Sequence, residues 1–416
     1  MAKMPRTSDF DSTLAVMKDP YRFILKTSER LSSAVFETRL GLQRTVCMVG
    51  PEAAELFYNP LYFQRTGAAP EPLKKTLLGE GTVQGLDGDA HAYRKAMFMS
   101  LMSRSRIDDM TAILSNTWRL YAKGWAQRDR IDLYSETQGI FAEAACEWSG
   151  IPLPADEPTK KARITEIVEL FDSAGRMFTP HLKSRLARKR LDRWAAAHIE
   201  DFRRGRLTSS PESAVAIIAS YRLKDGTNLD PKIAGAELLN VIRPITAIAV
   251  YVVQSALALH RYAGNTKGDW DDSLLQSFVQ EVRRFFPFFP QAVAKVKTDF
   301  VGLGYEFPKG GRALLDLHGT NHSRTTYKNP EVFQADRFLN VSPSAFNLIP
   351  QGGGDHFTGH RCAGEWMTIA LMKASVRFLR EEITYKVPPQ NLDIDYRRLP
   401  ALPFSRFQMD TVVLSR

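Results

Sequence analysis

The stretch Gln351-Gly352-Gly353-Gly354-Asp355-His356-Phe357-Thr358-Gly359-His360-Arg361-Cys362-Ala363-Gly364-Glu365 constrains this chain more than any other. Glycines flank a single cysteine, and a helical pattern runs from about Glu365 to Arg380, so the loop delivers one thiol to the start of a helix. Helix-start amides carry partial positive charge, which is expected to lower the pKa of Cys362 and stabilise its thiolate. Gly359 and Gly364 remove side chains where a flat group could approach the backbone. His360 and Arg361 add positive charge beside the sulfur. Four readings compete. A buried structural cysteine explains the sulfur but not the glycines. A phosphate-binding loop explains the glycines, but the Gly-Lys-Ser/Thr ending is missing. A nucleophilic cysteine has no evident companion histidine or acid. A metal-ligating thiolate explains all of it.

The rest of the composition narrows the class. With 416 residues, 44% hydrophobic and 25% charged, the chain has ordinary globular composition. It shows no linker, low-complexity block or internal repeat, so one large domain over residues 1–416 is expected. Cys47, Cys146 and Cys362 have no short pairwise spacing, which excludes a disulfide framework and a Cys-x-x-Cys metal site. That usage fits a reducing, cytoplasmic location. Polar residues follow Met1-Ala2-Lys3-Met4-Pro5, so no signal peptide is expected. The most apolar stretch, Ile245 to Leu259, is too short to span a bilayer and is expected to be a buried helix. Formal charge is +10, with basic residues crowded between Lys183 and Arg206. Leu186, Leu191, Trp194 and Ile199 interrupt the crowd at helical spacing, so it reads as the solvated face of an amphipathic helix and not as a nucleic-acid footprint.

Periodicity predicts a mainly α protein with small β sheets. Strands are expected at Arg44 to Val49, Ala313 to Leu315 and Thr411 to Leu414. Helical patterns cover Ala112 to Ala126, Thr137 to Trp148, Ile164 to Phe171, Leu182 to Phe202 and Ala234 onward. The first hundred residues read as short strands and loops.

The glycine-rich loop ending in Cys-x-Gly before a long helix resembles the heme-binding loop of the cytochrome P450 superfamily. The resemblance implies heme b, with Cys362 as axial thiolate, and thiolate ligation favours O–O cleavage. Glu281-Val282-Arg283-Arg284 is a second mark, and Asn329-Pro330-Glu331-Val332-Phe333 leading to Asp336-Arg337-Phe338 is a third. By resemblance Glu281, Arg284 and Arg337 form a buried ion network that is structural.

Dioxygen-using members of the superfamily carry an acid followed by an alcohol in the long helix over the heme. Here that helix reads Glu237-Leu238-Leu239-Asn240-Val241-Ile242-Arg243-Pro244-Ile245-Thr246. Pro244 removes a helix hydrogen bond and is expected to kink the helix. Arg243 stands among apolar residues and needs an anion, since a buried unpaired guanidinium is very costly. Two sources are open: a protein carboxylate such as Glu237, or a substrate carboxylate.

Arg-Pro at this point resembles the bacterial fatty-acid peroxygenase branch of the superfamily, whose loop is likewise lengthened ahead of the cysteine. That resemblance implies hydroxylation of long-chain fatty acids at the α or β carbon by hydrogen peroxide, with no obligatory redox partner. The substrate carboxylate, clamped by Arg243, replaces the missing acid as general acid–base. Gln84, in Val83-Gln84-Gly85, stands where hydroxylating members have glutamine, so decarboxylation to a terminal alkene is a side reaction. Leu78 stands where phenylalanine is frequent. His91, Lys95, Arg65 and Arg361 are the candidate partners for the heme propionates. Phe288 and Phe289, in Phe285-Phe286-Pro287-Phe288-Phe289-Pro290-Gln291, are candidate acyl-chain contacts, and Gln291 replaces a usual aromatic. The rivals are a reductase-driven monooxygenase and a non-catalytic heme or fatty-acid binding protein.

Overall fold

The run of β-formers at Gln43–Met48 pairs with Val35–Leu40 in a hairpin whose two turn residues, Gly41 and Leu42, both take positive φ (60° and 64°). That turn geometry matches the right-handed twist of the flanking strands. The computed structural model describes residues 3–173, 179–262 and 270–415. In chain order its strands are β1 (Val35–Leu40), β2 (Gln43–Met48), β3 (Phe63–Gln64), β4 (Arg130–Asp132), β5 (Gln291–Val296), β6 (Phe300–Gly302), β7 (Tyr305–Phe307), β8 (Arg312–Asp316), β9 (Ile383–Lys386) and β10 (Gln408–Leu414). A five-stranded sheet has the order β1-β2-β8-β5-β3, with β2 and β8 parallel and Cys47 opposite Leu314. β4, β10 and β9 make a three-stranded sheet, and β6 pairs with β7. The three expected strands fall in β2, β8 and β10.

Helices dominate. The principal ones are α1 (Gly88–Ser100), α2 (Arg104–Trp125), α3 (Leu133–Ser149), α4 (Glu157–Asp172), α5 (Thr179–Arg203), α6 (Pro231–Ala247), α7 (Ala249–Tyr262), α8 (Asp272–Phe285) and α9 (Glu365–Arg377). Aspartate caps start several of them. Asp132, Asp156, Asp230 and Asp271 accept backbone N–H bonds at the first turns of α3, α4, α6 and α8, satisfying donors the helix leaves open. The largest apolar core gathers α2, α3, α6, α7, α8 and α9, with Trp118, Phe141, Tyr251 and Phe278 fully buried. α5 crosses α6 closely: a Cβ on Gly235 would lie 2.6 Å from the Ala196 nitrogen.

Several expectations are corrected. The first hundred residues also hold helices at Phe23–Leu31, Pro51–Phe57 and α1. Pro244 lies inside α6, and the interruption comes one turn later at Ile248, whose N–H reaches back only to Ile245. The helix after the cysteine ends at Arg377 and continues as a wider turn over Phe378–Glu382. On α5, Leu191 and Ile199 are buried as expected, but Leu186 is exposed. Arg188, read as part of the solvated face, is only 3% exposed, where it pairs with Asp192 and donates to the Leu77 carbonyl. The stretch Pro231–Tyr262 is long and apolar enough to cross a membrane, yet 94% of its most apolar window is buried in the core.

Candidate active site

The cysteine loop is held from both sides of its sulfur. The Cys362 N–H donates to the Gln351 carbonyl at 3.1 Å, and the Gln351 amide nitrogen lies 3.7 Å from Sγ and 3.0 Å from Thr368 Oγ1. The Gln351 Oε1 accepts from Arg283 Nη2 at 2.9 Å. Arg283, fully buried, also pairs with Glu365, which in turn pairs with Arg361. Gly364 stands at the N-cap of α9, two residues after the cysteine, so the thiol is delivered to the start of a helix as expected. The expected depression of the Cys362 pKa is not what results: burial and the Glu365 charge raise it, and Lys95, the Gly364 N–H and Arg283 offset this only in part. Coordination to a metal would reverse the balance, because a ligating thiol is deprotonated outright.

α1 is stitched to the same loop. Lys95 Nζ donates to the carbonyls of Gly359, at 3.1 Å, and Arg361. His91 Nδ1 lies 3.2 Å from the Thr358 carbonyl, which only accepts, so Nδ1 carries the proton. Burial, with His360 and Lys95 nearby, pulls the His91 pKa down to about 4. His91 is therefore neutral at neutral pH, with an accepting Nε2, and Lys95 supplies the charge of that pair. His360 stacks near His91 and reaches Asp87 at 3.4 Å. Burial raises the Asp87 pKa, but hydrogen bonds from His360 and Thr66 more than offset it. Arg65 lies over the rings of Phe57 and Tyr58, and its guanidinium donates to no carboxylate among the described residues.

The second half of the site is on α6. Glu237, fully buried, is held by Arg94 Nη1 at 2.8 Å, the Val83 N–H at 2.9 Å and Asn240 Nδ2 at 3.1 Å. Arg243, 6% exposed, donates from Nη2 to Asn240 Oδ1 at 3.2 Å, and its Nε has no partner among the described residues. The alternative of a Glu237–Arg243 salt bridge is thereby excluded: Arg94 takes that carboxylate. Burial, then the nearby Arg188, lowers the Arg243 pKa to about 9, with Cys362 acting in the opposite direction. Arg243 stays charged at neutral pH, buried, without a counter-ion among the described residues. Gln84 joins the group, its Oε1 accepting from Asn240 Nδ2 at 3.2 Å.

The apolar candidates pack in the surrounding core. Phe288 stacks on Tyr251 at 4.4 Å, Phe289 sits edge-on to Phe288, and Leu78 ends the short turn Lys74–Leu78. Gln291 turns away and donates to the Pro20 carbonyl. The structural network is as expected: Glu281 accepts from Arg284 at 2.6 Å and Arg337 at 3.0 Å, with Glu281 and Arg284 fully buried. Arg94, Asn240, Arg283 and Gln351 were not anticipated. Only Asn240 left a signal, a polar residue one turn before Arg243 in an otherwise apolar run.

Whether these residues suit a heme can be judged on the protein alone. No cluster of three or more His, Cys, Asp or Glu among the described residues could hold a bare metal ion. A metal on Cys362 must therefore bring its other ligands with it, as a macrocycle does. A Cβ on Gly364, two residues past the cysteine, would meet no atom of the described residues within 4 Å, so the start of α9 leaves room for a flat group to approach. Arg65 and Lys95 border the loop as cations that pair with no carboxylate among the described residues. The donor set and the open space fit the group.

Comparison with known proteins agrees. Residues 273–394 match the cytochrome P450 family model. Cytochrome P450SP alpha, solved in complex with (R)-ibuprophen, is 44% identical, covers 97% of this chain and 99% of its own, and superposes with a TM-score of 0.94. Cytochrome P450EX alpha with myristic acid is 38% identical over 100% of both chains, with a TM-score of 0.95. A variant of cytochrome P450 OleT in complex with arachidonic acid is 31% identical over 100% of this chain and 99% of that one, with a TM-score of 0.96. Curated relatives are more distant. A beta-amyrin 28-monooxygenase from Saponaria officinalis is 32% identical over 26% of this chain and 22% of its own length. A beta-amyrin 28-monooxygenase from Solanum lycopersicum is 21% identical over 92% and 86%.

Proposed function

This chain belongs to the cytochrome P450 family, and from that premise we propose that it is a heme-thiolate peroxygenase hydroxylating long-chain fatty acids at the α or β carbon with hydrogen peroxide. One observation carries the reading: Arg243 is buried and charged beside the cysteine-loop face, and the nearest carboxylate on its helix, Glu237, is engaged by Arg94. A guanidinium in that state is a receptor for an incoming carboxylate. The solved relatives that hold myristic acid and arachidonic acid support a fatty acid as its source.

Bound to Cys362, heme b supplies the iron at which hydrogen peroxide is cleaved, with the thiolate donating electron density. Lys95 and Arg65 would hold its carboxylates, Arg361 is taken by Glu365, and His91 would join them only when protonated. Gln351, itself held by Arg283, would fix the thiolate through its amide nitrogen. Arg243 clamps the fatty-acid carboxylate, which places the first carbons of the chain, and not distal ones, toward Cys362. Pro244 leaves the Asn240 backbone carbonyl without its helix partner beside the clamp. No acid–alcohol pair follows Arg243, so the clamped carboxylate takes and returns the proton that peroxide cleavage requires. Gln84 stands beside the clamp as a neutral amide that orients without donating a proton readily, which favours hydroxylation over decarboxylation. Leu78, Phe288 and Phe289 face the acyl chain.

The test is product analysis of the heme-loaded protein with a long-chain fatty acid and hydrogen peroxide, without a reductase, beside Arg243→Ala. α- and β-hydroxy acids from the parent alone are expected. Turnover that appears only when a reductase is supplied would overturn the peroxide-driven reading.

A further inference from the structure

The orientation of two side-chain amides at the site is decided by their neighbours. Asn240 stands between Glu237, whose oxygens accept from Arg94 and the Val83 N–H, and Arg243, a guanidinium that only donates. Its Nδ2 must therefore face Glu237, and its Oδ1 must face Arg243. The reverse arrangement would set oxygen against oxygen and N–H against N–H. The second N–H of Nδ2 is then aimed at Gln84, whose Oε1 accepts it at 3.2 Å. Gln84 Oε1 is committed, and its Nε2, with two N–H groups, has no partner among the described residues. Arg94 anchors the start of this chain of bonds by holding Glu237 in place at 2.8 Å.

We propose that Asn240 is a positioning residue: its Oδ1 orients the Arg243 guanidinium, and its Nδ2 passes the polarity set by Glu237 to the Gln84 amide, so that Gln84 presents donors to the substrate head group beside the donors of Arg243. This rests on the carboxylate-clamp reading above and adds the residue that enforces it. A head group offering only acceptors, an ionised carboxylate, meets a donor on each side. A carboxamide of the same chain offers N–H groups that find no acceptor there, and unmatched buried polar groups are costly.

Asn240→Asp keeps the shape and reverses the polarity. It gives Arg243 an internal carboxylate and removes the N–H that holds Gln84, freeing that amide to turn and present Oε1. The experiment titrates the heme-loaded parent and variant with a long-chain fatty acid and with its primary carboxamide, reading binding by calorimetry. The parent should prefer the acid. Asn240→Asp should bind the acid about tenfold more weakly or worse, while the carboxamide is unchanged or improved, narrowing the preference. Equal loss of both ligands, as general damage would produce, or unchanged acid binding overturns the role of Asn240. A parent with no preference for the acid overturns the clamp reading itself. Should Asn240→Asp not fold, Gln84→Glu serves: one carboxylate oxygen keeps the Asn240 bond and the other turns an acceptor to the site. The same narrowing is expected, and its absence overturns the proposal.

Discussion

The carboxylate of Glu237 is bound by Arg94 at 2.8 Å, so it does not neutralise Arg243 further along the same helix. The distribution of one buried negative charge between two buried cations decides what the pocket can bind. Had Arg94 been absent, Glu237 would be the obvious counter-ion for Arg243, and the site would have no call for an anionic substrate.

Arg94→Met tests that distribution. Glu237, whose carboxyl pKa burial already raises, would lose its cation in a fully enclosed position. Breaking a buried pair in this way costs about 3–5 kcal/mol. A lowered denaturation midpoint is expected, together with weaker fatty-acid binding as Glu237 turns toward Arg243 or takes up a proton. Binding unchanged from the parent would show that Arg94 is not what keeps the two apart.

Glu281 bears more. It accepts from Arg284, from Arg337 and from the Gln334 N–H while fully buried. Glu281→Gln leaves two guanidinium groups without their charge partner, and a loss of about 3–5 kcal/mol is expected. Urea denaturation of the purified variant, or failure to recover it in soluble form, would show this. A midpoint within error of the parent would argue that the network is dispensable.

The two glycines flanking the cysteine should behave differently. A Cβ on Gly359 would lie 2.6 Å from the Asp355 carbonyl, so Gly359→Ala distorts the loop and lowers stability with or without heme. A Cβ on Gly364 meets no protein atom within 4 Å. Gly364→Val should therefore leave the stability of the heme-free chain nearly unchanged while lowering heme incorporation, read from the heme-to-protein absorbance ratio. Normal heme content in Gly364→Val would place the group elsewhere.

Asp316 makes stability depend on pH. Burial raises its pKa from 3.8 to about 7, only partly offset by backbone N–H bonds from Gly319 and Leu25. Between those values the folded chain keeps a proton that the unfolded chain has released, so stability falls as pH rises through the interval. Asp316→Asn keeps an oxygen for the Gly319 N–H and removes the titration. Its melting temperature should vary less than the parent's between about pH 5 and about pH 8. Parallel profiles would show that Asp316 is not the group responsible.

Much of the site was legible because its signals are local. A thiol between glycines at a helix start, Glu281 and Arg284 one turn apart, and Arg243-Pro244 in an apolar helix can each be read from neighbouring residues. Where sequence reading failed, burial was the cause. Arg188 belongs to a run of basic residues that pattern alone places in water, yet α5 packs there against the Lys74–Leu78 turn, which brings Arg188 to the Leu77 carbonyl. Cys362 shows the same limit: the favourable helix start is visible in the chain, but the burial that raises its thiol pKa in the absence of a metal is a property of the packed interior.

By itself, then, the sequence determined which groups exist and which lie on one helix face: a lone thiol, a guanidinium without an acid–alcohol pair after it, and helices and strands whose periods follow from side-chain geometry. Tertiary structure decided which charges meet. Arg94 and Glu237, or Arg283 and Glu365, are far apart in the chain, and nothing local says which cation will take which carboxylate. Electrostatic energy depends on distance and on exclusion of water, and both are set only when the helices close around the site.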